Sequence, residues 1–297
     1  MIKNKKIDIL MATYNGEKYL SEQIDSIVGQ TYQNWNLLIR DDNSSDGTLQ
    51  ILEKYEKLDR RIKILRDNRG NLGIVKNFEE LLKNSESELI MFSDQDDIWL
   101  ENKLEVYLKT IEKVGLKNIL IHSDAILFSE DKTNILKETF ISKKAIRKGL
   151  KNVFFNYFVQ GATILISKEI KNFILPFPEE VYLHDRYIHL ISELFFERIF
   201  IKESLIYYRQ HSNNQIGAKN TLKKLLLKRY FDKKDYELIK VIYNNYSNIL
   251  SNDKKKLIEE YFEITDIKKT RFNRFLKLKK SKINMPLKKQ ISFFVKG

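Results

Sequence analysis

The sequence has no cysteine and only 3 prolines among its 297 residues. The lack of cysteine excludes disulfide bonds, thiolate metal sites and a cysteine nucleophile, and it favours a reducing compartment such as the cytoplasm. No uncharged apolar stretch approaches the roughly 18 residues that predict a membrane-spanning helix, and we expect no signal peptide. With 42% hydrophobic residues, the chain can bury one large domain, or one domain with a helical appendage.

Acidic residues are scarce in the C-terminal part of the chain. Residues 218–297 hold 22 Lys and Arg against 8 Asp and Glu, whereas residues 1–217 hold 31 against 32. This asymmetry predicts a near-neutral catalytic domain over 1–217 and a basic helical region over 218–297. The basic region is typical of a helix on an anionic membrane, a nucleic-acid arm or a solvated helical bundle. Membrane association is favoured among the three, and we expect no nucleic-acid partner.

Short apolar runs alternate with amphipathic stretches through the first half of the chain. They predict strands over 7–12, 35–39, 62–65 and 89–92, with helices over 20–28, 44–58, 74–82 and 100–114. Repeated strand–helix–strand units imply an α/β fold with a mostly parallel sheet, and ligands bind at the carboxyl ends of its strands. Farther on, the pattern predicts a strand over 157–166, a helix around 184–191 and a last strand over 204–209.

Polar clusters follow the four early strands directly, at residues 12–15, 41–43, 66–68 and 94–97. Because the carboxyl ends of parallel strands share one edge of a sheet, we expect these clusters to converge. Asp residues also cap helices. Capping alone does not require several clusters to meet, so convergence favours a binding site.

The segment Asp94-Gln95-Asp96-Asp97 is the most informative part of the sequence. Three carboxylates at the end of a buried strand repel one another unless a cation lies among them. Carboxylate oxygens suit Mg²⁺ or Mn²⁺, and such ions are usually held by one or two carboxylates together with substrate phosphates. The segment therefore predicts a divalent metal site, with an acidic helix-capping turn as the alternative.

Three motifs in order resemble those of family-2 glycosyltransferases with the GT-A fold. They are Thr13-Tyr14-Asn15-Gly16, the run from Asp41 to Thr48, and Asp94-Gln95-Asp96-Asp97-Ile98-Trp99. The resemblance spans roughly residues 5–217, and the third motif is similar to that of bacterial rhamnosyltransferases. It implies a UDP- or dTDP-sugar donor, a Mn²⁺ or Mg²⁺ ion, and an acceptor hydroxyl of a glycan or lipid-linked glycan in cell-surface polysaccharide biosynthesis.

The resemblance also implies roles for individual residues. The nucleotide-sugar would contact Thr13, Tyr14, Asn15, Asp41 or Asp42, Arg66, Asn68 and Asp94. The metal would be held by Asp96, Asp97 and His211, with the principal aspartate left open. The sugar and acceptor pocket would include Gln160, Gly161, Trp99, His184 and Arg209.

An inverting transfer needs a base that takes the proton of the acceptor hydroxyl. His184-Asp185 resembles the late base motif of the family, which implies that Asp185 is the base and that His184 positions it or the substrate. An aromatic residue commonly follows this motif, whereas Arg186 follows it here. The alternative is a helix-initiating Asp beside a partly buried His. Helix initiation is the interpretation we prefer for Asp46.

Two other functions stay open at this point. A magnesium-dependent nucleotidyltransferase would also use clustered Asp residues, but it usually has a Gly-rich phosphate loop, and no G-x-x-x-x-G-K-[ST] motif occurs. A non-catalytic protein that binds through its basic tail would not need carboxylates at four strand ends. We therefore expect a cytoplasmic hexosyltransferase, at the inner face of the cell membrane if its acceptor is lipid-linked.

Overall fold

The computed structural model describes residues 4–130, 134–140, 147–211, 233–287 and 289–290. The chain forms two compact units. The first contains Met1–Ser142, Val159–Phe177 and Phe196–Asn214, and the second contains Lys143–Phe158, Pro178–Phe195 and Gln215–Gly297. The predicted boundary at 217/218 lies outside the described residues. Two segments that we assigned to the catalytic domain, Lys143–Phe158 and Pro178–Phe195, belong to the second unit.

The described part of the first unit contains a nine-stranded sheet. Its strands are β1 Ile7–Thr13, β2 Trp35–Asp41, β3 Ile62–Ile64, β4 Leu89–Ser93, β5 Ile98–Trp99, β6 Ile119–Ser129, β7 Ile135–Lys137, β8 Ile164–Ser167 and β9 Glu197–Gln210. The strand order is β3-β2-β1-β4-β8-β6-β9-β5, with β7 beside β6. The first four strands are mutually parallel, whereas β8 is antiparallel to both of its neighbours. The predicted mostly parallel α/β sheet is confirmed.

The sheet is central because its middle strands are apolar on both faces. All seven residues of β1 are buried, which is typical of a parallel strand covered on both sides. The helices of this unit are α1 Leu20–Val28, α2 Thr48–Leu58, α3 Ile74–Asn84, α4 Lys103–Val114 and α6 Lys168–Ile174. Helix α1 buries Leu20, Ile24 and Ile27, the face that helical periodicity predicts.

Two strand predictions were wrong in their bounds. The predicted strand over 157–166 begins only at Ile164. Before it, a 3₁₀ turn over Gly161–Thr163 is closed by Thr163, whose N–H and hydroxyl both donate to the Gln160 carbonyl at 2.9 and 2.7 Å. Strand β9 begins at Glu197, well before the predicted start at 204. Its first half pairs in parallel with β6 and contains the apolar run Ile199-Phe200-Ile201 between charged residues, a local signal that the prediction missed.

The second unit is helical in its described part. Its helices are α5 Leu150–Val153, α7 His184–Phe195, α8 Lys233–Tyr246, α9 Asn252–Thr265 and α10 Arg271–Lys280. The ring of Phe154 stacks on that of Tyr261 with centroids 4.7 Å apart, and α8 contributes buried Leu238 and Ile242. The unit therefore has its own apolar core. In the described residues, no helix has the length and apolar character needed to cross a bilayer.

Two histidines that belong to none of the motifs, His122 and His189, are buried. His122 on β6 lies 4.9 Å from the ring of Phe200. In the second unit, the ring centroids of His189 and Phe158 lie 4.9 Å apart in an edge-on arrangement.

Candidate active site

The carboxyl ends of β1, β2 and β4 lie side by side in the first unit. Strand β1 pairs in parallel with both of the others, so that Thr13 stands opposite Asp41 and Met11 opposite Ser93. The Thr13 hydroxyl donates to Asp41 Oδ1 at 2.9 Å, and Asp94 follows Ser93 at the same edge. The structure therefore brings together the three polar clusters that follow these strands.

Asp41 organises the turn that follows β2. Its Oδ2 accepts the N–H of Ser44 at 2.8 Å, and its Oδ1 accepts the Ser44 hydroxyl at 2.6 Å. Asn15, in the left-handed region with φ of 47°, donates its N–H to that hydroxyl at 2.8 Å. Asn and Asp tolerate this conformation better than most residues. The loops after β1 and β2 are thus joined through short polar side chains.

Asp46 behaves as the preferred interpretation predicted. Its Oδ1 accepts the N–H of Thr48 at 3.0 Å, at the start of α2. Its Oδ2 accepts the N–H of Glu17 at 3.1 Å. Hydrogen bonds from Thr48 and from these backbone groups lower the pKa of Asp46 against the opposing effect of burial.

Asp42 is buried and anchors the loop before α3. Its Oδ1 accepts from Arg40 Nη1 and from the N–H of Leu72, and its Oδ2 accepts from the N–H of Gly73, each at 2.7 Å. Arg40 also donates to both carboxylate oxygens of Asp67, at 2.8 and 2.9 Å, which lowers the pKa of Asp67. Asp41 is the more exposed of the two candidate base-reading carboxylates.

Arg66 and Asn68 lie in the loop between β3 and α3. The Arg66 guanidinium makes a two-point ion pair with Glu56 of α2, at 3.0 and 2.6 Å, and this bond lowers the pKa of Glu56. Asn68 is exposed. A nucleotide contact by either residue stays a prediction.

Gln95 joins the loop after β1 to the acidic loop after β4. Its Oε1 accepts the N–H of Tyr14 at 2.9 Å, and its Nε2 donates to the Tyr14 carbonyl at 3.0 Å. A Cβ on Gly16 would lie 2.4 Å from Gln95 Oε1, closer than real Cβ atoms approach. Glycine at position 16 therefore leaves room for this amide.

The three aspartates of the acidic loop differ in burial. Asp97 is only 1% exposed; its Oδ1 accepts the N–H of Arg209 at 3.2 Å, and its Oδ2 is buried without a hydrogen-bond partner. Burial, followed by the charges of Asp96 and Asp94, raises the pKa of Asp97 well above its usual value. Asp94 and Asp96 are partly exposed and are the better placed to meet a ligand from solution.

Asp96 and His211 form the pair that best fits a divalent ion. Asp96 Oδ2 lies 2.7 Å from His211 Nε2, so an oxygen and a nitrogen that Mn²⁺ accepts are already adjacent. Across the described ranges, no group of three or more His, Cys, Asp and Glu side chains could hold a metal. Two protein ligands fit an ion that completes its coordination with substrate phosphates and water. The unpaired Oδ2 of Asp97 is a further acceptor in this loop.

Arg209 is buried, which differs from its predicted place in the sugar and acceptor pocket. Only 1% exposed, it donates from Nε to the Asp96 carbonyl at 2.8 Å, from Nη1 to the Glu130 carbonyl at 2.9 Å and from Nη2 to Glu22 at 2.6 Å. It also lies 4.6 Å from the ring centroid of Tyr19. The guanidinium is directed into the protein and holds the acidic loop against β9.

Trp99 is also buried rather than lining a pocket. It belongs to the apolar core of the sheet, and the ammonium group of buried Lys103 lies 3.5 Å from its ring centroid. Lys103 Nζ donates to the Ala162 carbonyl at 2.8 Å, and burial lowers the pKa of Lys103 well below its usual value. A contact between Trp99 and an acceptor would first require the ring to become exposed.

Gln160 and Gly161 are buried beside β9. The Gln160 side chain hydrogen-bonds Tyr208, whose pKa is raised chiefly by burial and next by the charge of Asp94. Gly161 begins the 3₁₀ turn that precedes β8. The two residues are therefore close to the acidic loop, and their contact with a sugar stays a prediction.

His184 and Asp185 lie in the second unit, in the first turn of α7. Asp185 Oδ1 accepts the N–H of Arg186 at 2.8 Å, and its Oδ2 accepts a short hydrogen bond from the Tyr157 hydroxyl. Burial lowers the pKa of His184 against the opposing effect of Asp185, which favours a neutral imidazole. The role of Asp185 as the base stays a prediction.

The contacts of Arg186 account for an arginine at a position where the family commonly has an aromatic residue. Its Nε donates to Asp235 of α8 at 2.9 Å, and its Nη1 and Nη2 donate to the carbonyls of Val153 and Phe154 at 2.9 and 3.0 Å. The fork of donors in a guanidinium suits several carbonyls at once. Arg186 therefore fixes the start of α7 within the second unit.

Sequence reasoning missed Arg40, Lys103 and Glu22 as parts of the site. A charged residue inside an apolar strand or next to an apolar helix face is a signal that could have found the first two, since such charges are buried only when paired. Glu22 lies on an ordinary helix surface, and its bond to Arg209 leaves no trace in the local pattern.

The sequence model of Glycosyl transferase family 2 matches residues 8–168, more than half of the chain. The chain belongs to glycosyltransferase family 2. It is therefore a glycosyltransferase enzyme, as the three motifs predicted. It is 31% identical over 231 residues to the dTDP-rhamnosyl transferase RfbG of Shigella flexneri, covering 72% of this chain and 75% of that protein.

A second relative has a higher identity over a shorter range. The UDP-Glc:alpha-D-GlcNAc-diphosphoundecaprenol beta-1,3-glucosyltransferase WfgD of Escherichia coli is 41% identical over 108 residues, which is 36% of this chain and 41% of that protein. This glycosyltransferase is thus similar to bacterial enzymes of glycan assembly.

Solved structures share its fold. The structure of Staphylococcus aureus TarS residues 1–349 in complex with UDP-GlcNAc has a TM-score of 0.66 and 20% identity, covering 91% of this chain and 75% of that one. The mannosyltransferase PcManGT of Pyrobaculum calidifontis, in complex with GDP-Man and Mn²⁺, has a TM-score of 0.56 and 14% identity, covering 71% of this chain and 59% of that one. The GT-A fold is confirmed.

Proposed function

We propose that this glycosyltransferase moves a hexose from a UDP- or dTDP-sugar to an acceptor hydroxyl, with inversion and with the help of a divalent metal. One observation carries the proposal: Thr13 meets Asp41, and Asp96 meets His211, at 2.9 and 2.7 Å along the same edge of one sheet. A nucleotide-binding pair and a metal-binding pair at adjacent strand ends are what a nucleotide diphosphate needs.

The nucleotide would bind to the loops after β1 and β2. A carboxylate can accept the imide N–H of uracil or thymine, and Asp41 or Asp42 would serve. Thr13, Tyr14 and Asn15 would line the same loop edge. Further contacts would come from a second set of residues: Arg66, Asn68 and Asp94.

The metal would be held by Asp96 and His211, with Asp97 as a third candidate. When bound, the ion offsets the negative charge that develops on the leaving nucleoside diphosphate. Arg209 holds the carbonyl of Asp96 and the carboxylate of Asp97 from within the protein, which supports a loop whose ligand atoms are set before the donor arrives.

Asp185 would accept the proton of the acceptor hydroxyl as that oxygen attacks the anomeric carbon. A neutral His184 beside it would position the base or the substrate. In the first unit, Gln160 and Gly161 would contact the sugar. The assignment of Asp185 rests on its motif, and the hydrogen bond from Tyr157 supports an oriented carboxyl group.

The acceptor would be a growing surface glycan, free or lipid-linked, and the enzyme would act at the inner face of the cell membrane. Similarity to RfbG makes rhamnose the first sugar to test, and similarity to WfgD supports a lipid-linked acceptor.

Thermal unfolding with nucleotides tests the donor and metal sites together. We expect UDP or dTDP with Mn²⁺ to raise the melting temperature, and EDTA to remove most of the effect. At about 100-fold excess over Kd the stabilisation would be roughly 2.7 kcal/mol. GDP is the control nucleotide. An increase with GDP alone, or none with any nucleotide, would contradict the proposed donor. A screen of nucleotide-sugars for metal-dependent hydrolysis then identifies the sugar.

A further inference from the structure

We infer that the exposed face of α10 and the turn before it dock on an anionic lipid surface. This docking face is defined by three apolar and three basic residues: Ile267, Phe272, Leu276, Lys268, Lys279 and Lys280. The inference deepens the proposed function and rests on it for one point, that a lipid-linked acceptor gives such docking a purpose. Lipid binding itself can be measured without any reaction.

The apolar part of the docking face is turned away from the core of its unit. Helix α10 buries Arg274 and Leu278, and it packs against α9. Phe272 and Leu276, one turn apart and thus on the same side of the helix, are 60% and 39% exposed, and Ile267 in the preceding turn is 77% exposed. Ile267 and Phe272 therefore leave most of their apolar surface in solvent, and Leu276 leaves part of its own.

The charge along the chain after Asp266, whose carboxylate accepts the N–H of Lys268 at 3.0 Å, has one sign. Residues 267–297 contain 11 Lys and Arg and no Asp or Glu. Among the described ones, Lys268, Lys279 and Lys280 are exposed, whereas the less exposed Lys277 is paired with Glu263 of α9. Each basic residue close to an anionic leaflet strengthens binding about 5-fold. The positive charge of the face is thus left for a partner.

Lipid fits both properties of the face better than other partners do. A nucleic acid would match the charge, but its phosphates gain nothing from the aliphatic side chains of Ile267 and Leu276. A second copy would cover the apolar side chains but would bring two basic faces together, which is unfavourable. An anionic leaflet takes the apolar side chains below its headgroups and pairs the lysines with them.

Co-sedimentation of the full chain with lipid vesicles tests the inference. We expect binding to vesicles of phosphatidylglycerol and phosphatidylcholine, and little binding to phosphatidylcholine alone. The double variant Lys279→Gln/Lys280→Gln should bind about 30-fold more weakly. Phe272→Ser/Leu276→Ser should bind about tenfold more weakly or worse. Matched controls are Lys113→Gln/Lys117→Gln on exposed positions around the end of α4, and Leu58→Ser at the exposed end of α2.

Equal binding by the docking-face variants and their controls would overturn the inference, as would equal binding to neutral and anionic vesicles. Binding to a random oligonucleotide without binding to vesicles, or a dimer that the Phe272 and Leu276 changes abolish, would assign the face to another partner. Each variant should keep the nucleotide-induced rise in melting temperature. A variant that loses vesicle binding but keeps the nucleotide-induced rise in melting temperature has lost docking only. If the parent protein shows no such rise, the proposed function is contradicted and the docking inference is not.

Discussion

Gln95 bonds both backbone polar groups of Tyr14 with one side-chain amide, at 2.9 and 3.0 Å. The amide makes the same pair of hydrogen bonds to Tyr14 that a neighbouring strand would make. It thereby joins the acidic loop to the loop that would hold the nucleotide. Movement of one loop is coupled to the other, because the two hydrogen bonds cannot both persist if the loops separate.

Gln95→Ala should lower the free energy of unfolding by about 1–2 kcal/mol, since two hydrogen bonds are lost. It should also weaken donor binding, because Tyr14 is no longer held. Urea unfolding and calorimetry with UDP and Mn²⁺ are the measurements. Gln50→Ala, on the exposed surface of α2, is the matched control and should change neither quantity. If Gln95→Ala binds the donor as well as the parent protein does, the two loops are not coupled through Gln95.

Gly16→Ala should disturb the same amide from the opposite side. Its Cβ would lie 2.4 Å from Gln95 Oε1, and the flexible amide would move and lose its bonds to Tyr14. In the Gln95→Ala background the same change should be neutral or slightly stabilising, because the three heavy atoms nearest to the methyl group all belong to the removed amide of Gln95. A double-mutant cycle by urea unfolding measures this non-additivity. Additive effects would show that Gly16 is required for another reason.

Asp96→Asn and His211→Gln should each weaken Mn²⁺ binding in the presence of UDP by at least about tenfold, and the double variant should lose little more than either. Replacing even an indirect partner of a metal ligand costs about 10–100-fold. Calorimetric titration of Mn²⁺ is the measurement. Asp59→Asn, whose carboxylate pairs with Arg61, is the control. Normal Mn²⁺ affinity in both single variants would place the metal elsewhere.

Arg209→Met should destabilise the protein by roughly 2–4 kcal/mol, because it leaves buried acceptors unpaired. Lys18→Met is the matched control: exposed Lys18 contacts the same residue, Glu130, at 2.5 Å, and surface pairs contribute at most about 1 kcal/mol. Urea unfolding compares the two. Arg209→Lys should not rescue stability, since an ammonium group lacks the planar fork of donors. If Arg209→Met and Lys18→Met lower the free energy of unfolding by similarly small amounts, Arg209 does not anchor the acidic loop.

Asp185→Asn should abolish sugar transfer while leaving nucleotide binding nearly unchanged. An amide cannot take the acceptor proton, whereas the shape of the side chain is kept. Transfer assays and nucleotide-induced melting shifts are the measurements. Asp253→Asn, on the exposed first turn of α9, is the control and should retain transfer. Equal loss of transfer and of nucleotide binding would remove Asp185 from the base role.

Acidification should destabilise the parent protein more than His184→Gln. Burial lowers the pKa of His184 in the folded chain, so below about pH 6.5 the unfolded chain binds more protons at this position. The stability is therefore present at neutral pH and is lost as pH falls toward and below 6.5. Urea unfolding at about pH 7.5 and pH 5.5 compares the proteins. A larger loss in the variant would mean that the charge of Asp185 outweighs burial.

Much of the sheet could be predicted because β1 is a short, mostly apolar run that is buried throughout and burial along α1 follows the local period of 3.6 residues. The carboxylates of Asp41 and Asp94 could also be recognised from local sequence, since each lies two residues after the end of an apolar run. The start of β9 was only partly legible: Ile199-Phe200-Ile201 is a local apolar run, whereas the charged residues Glu197 and Arg198 are extended by pairing with distant β6. A local pattern contains no information about such a partner.

The sequence by itself determined the alternation of strands and helices, the placement of acidic clusters at strand ends and the basic character of the C-terminal part, because each depends on neighbours along the chain. Only the tertiary structure decided that Asp97 is buried while Asp96 meets His211, that Arg209 is an internal anchor, and that Gln95 holds Tyr14. These relations join residues far apart in sequence, and they follow from the order in which strands pair across the sheet.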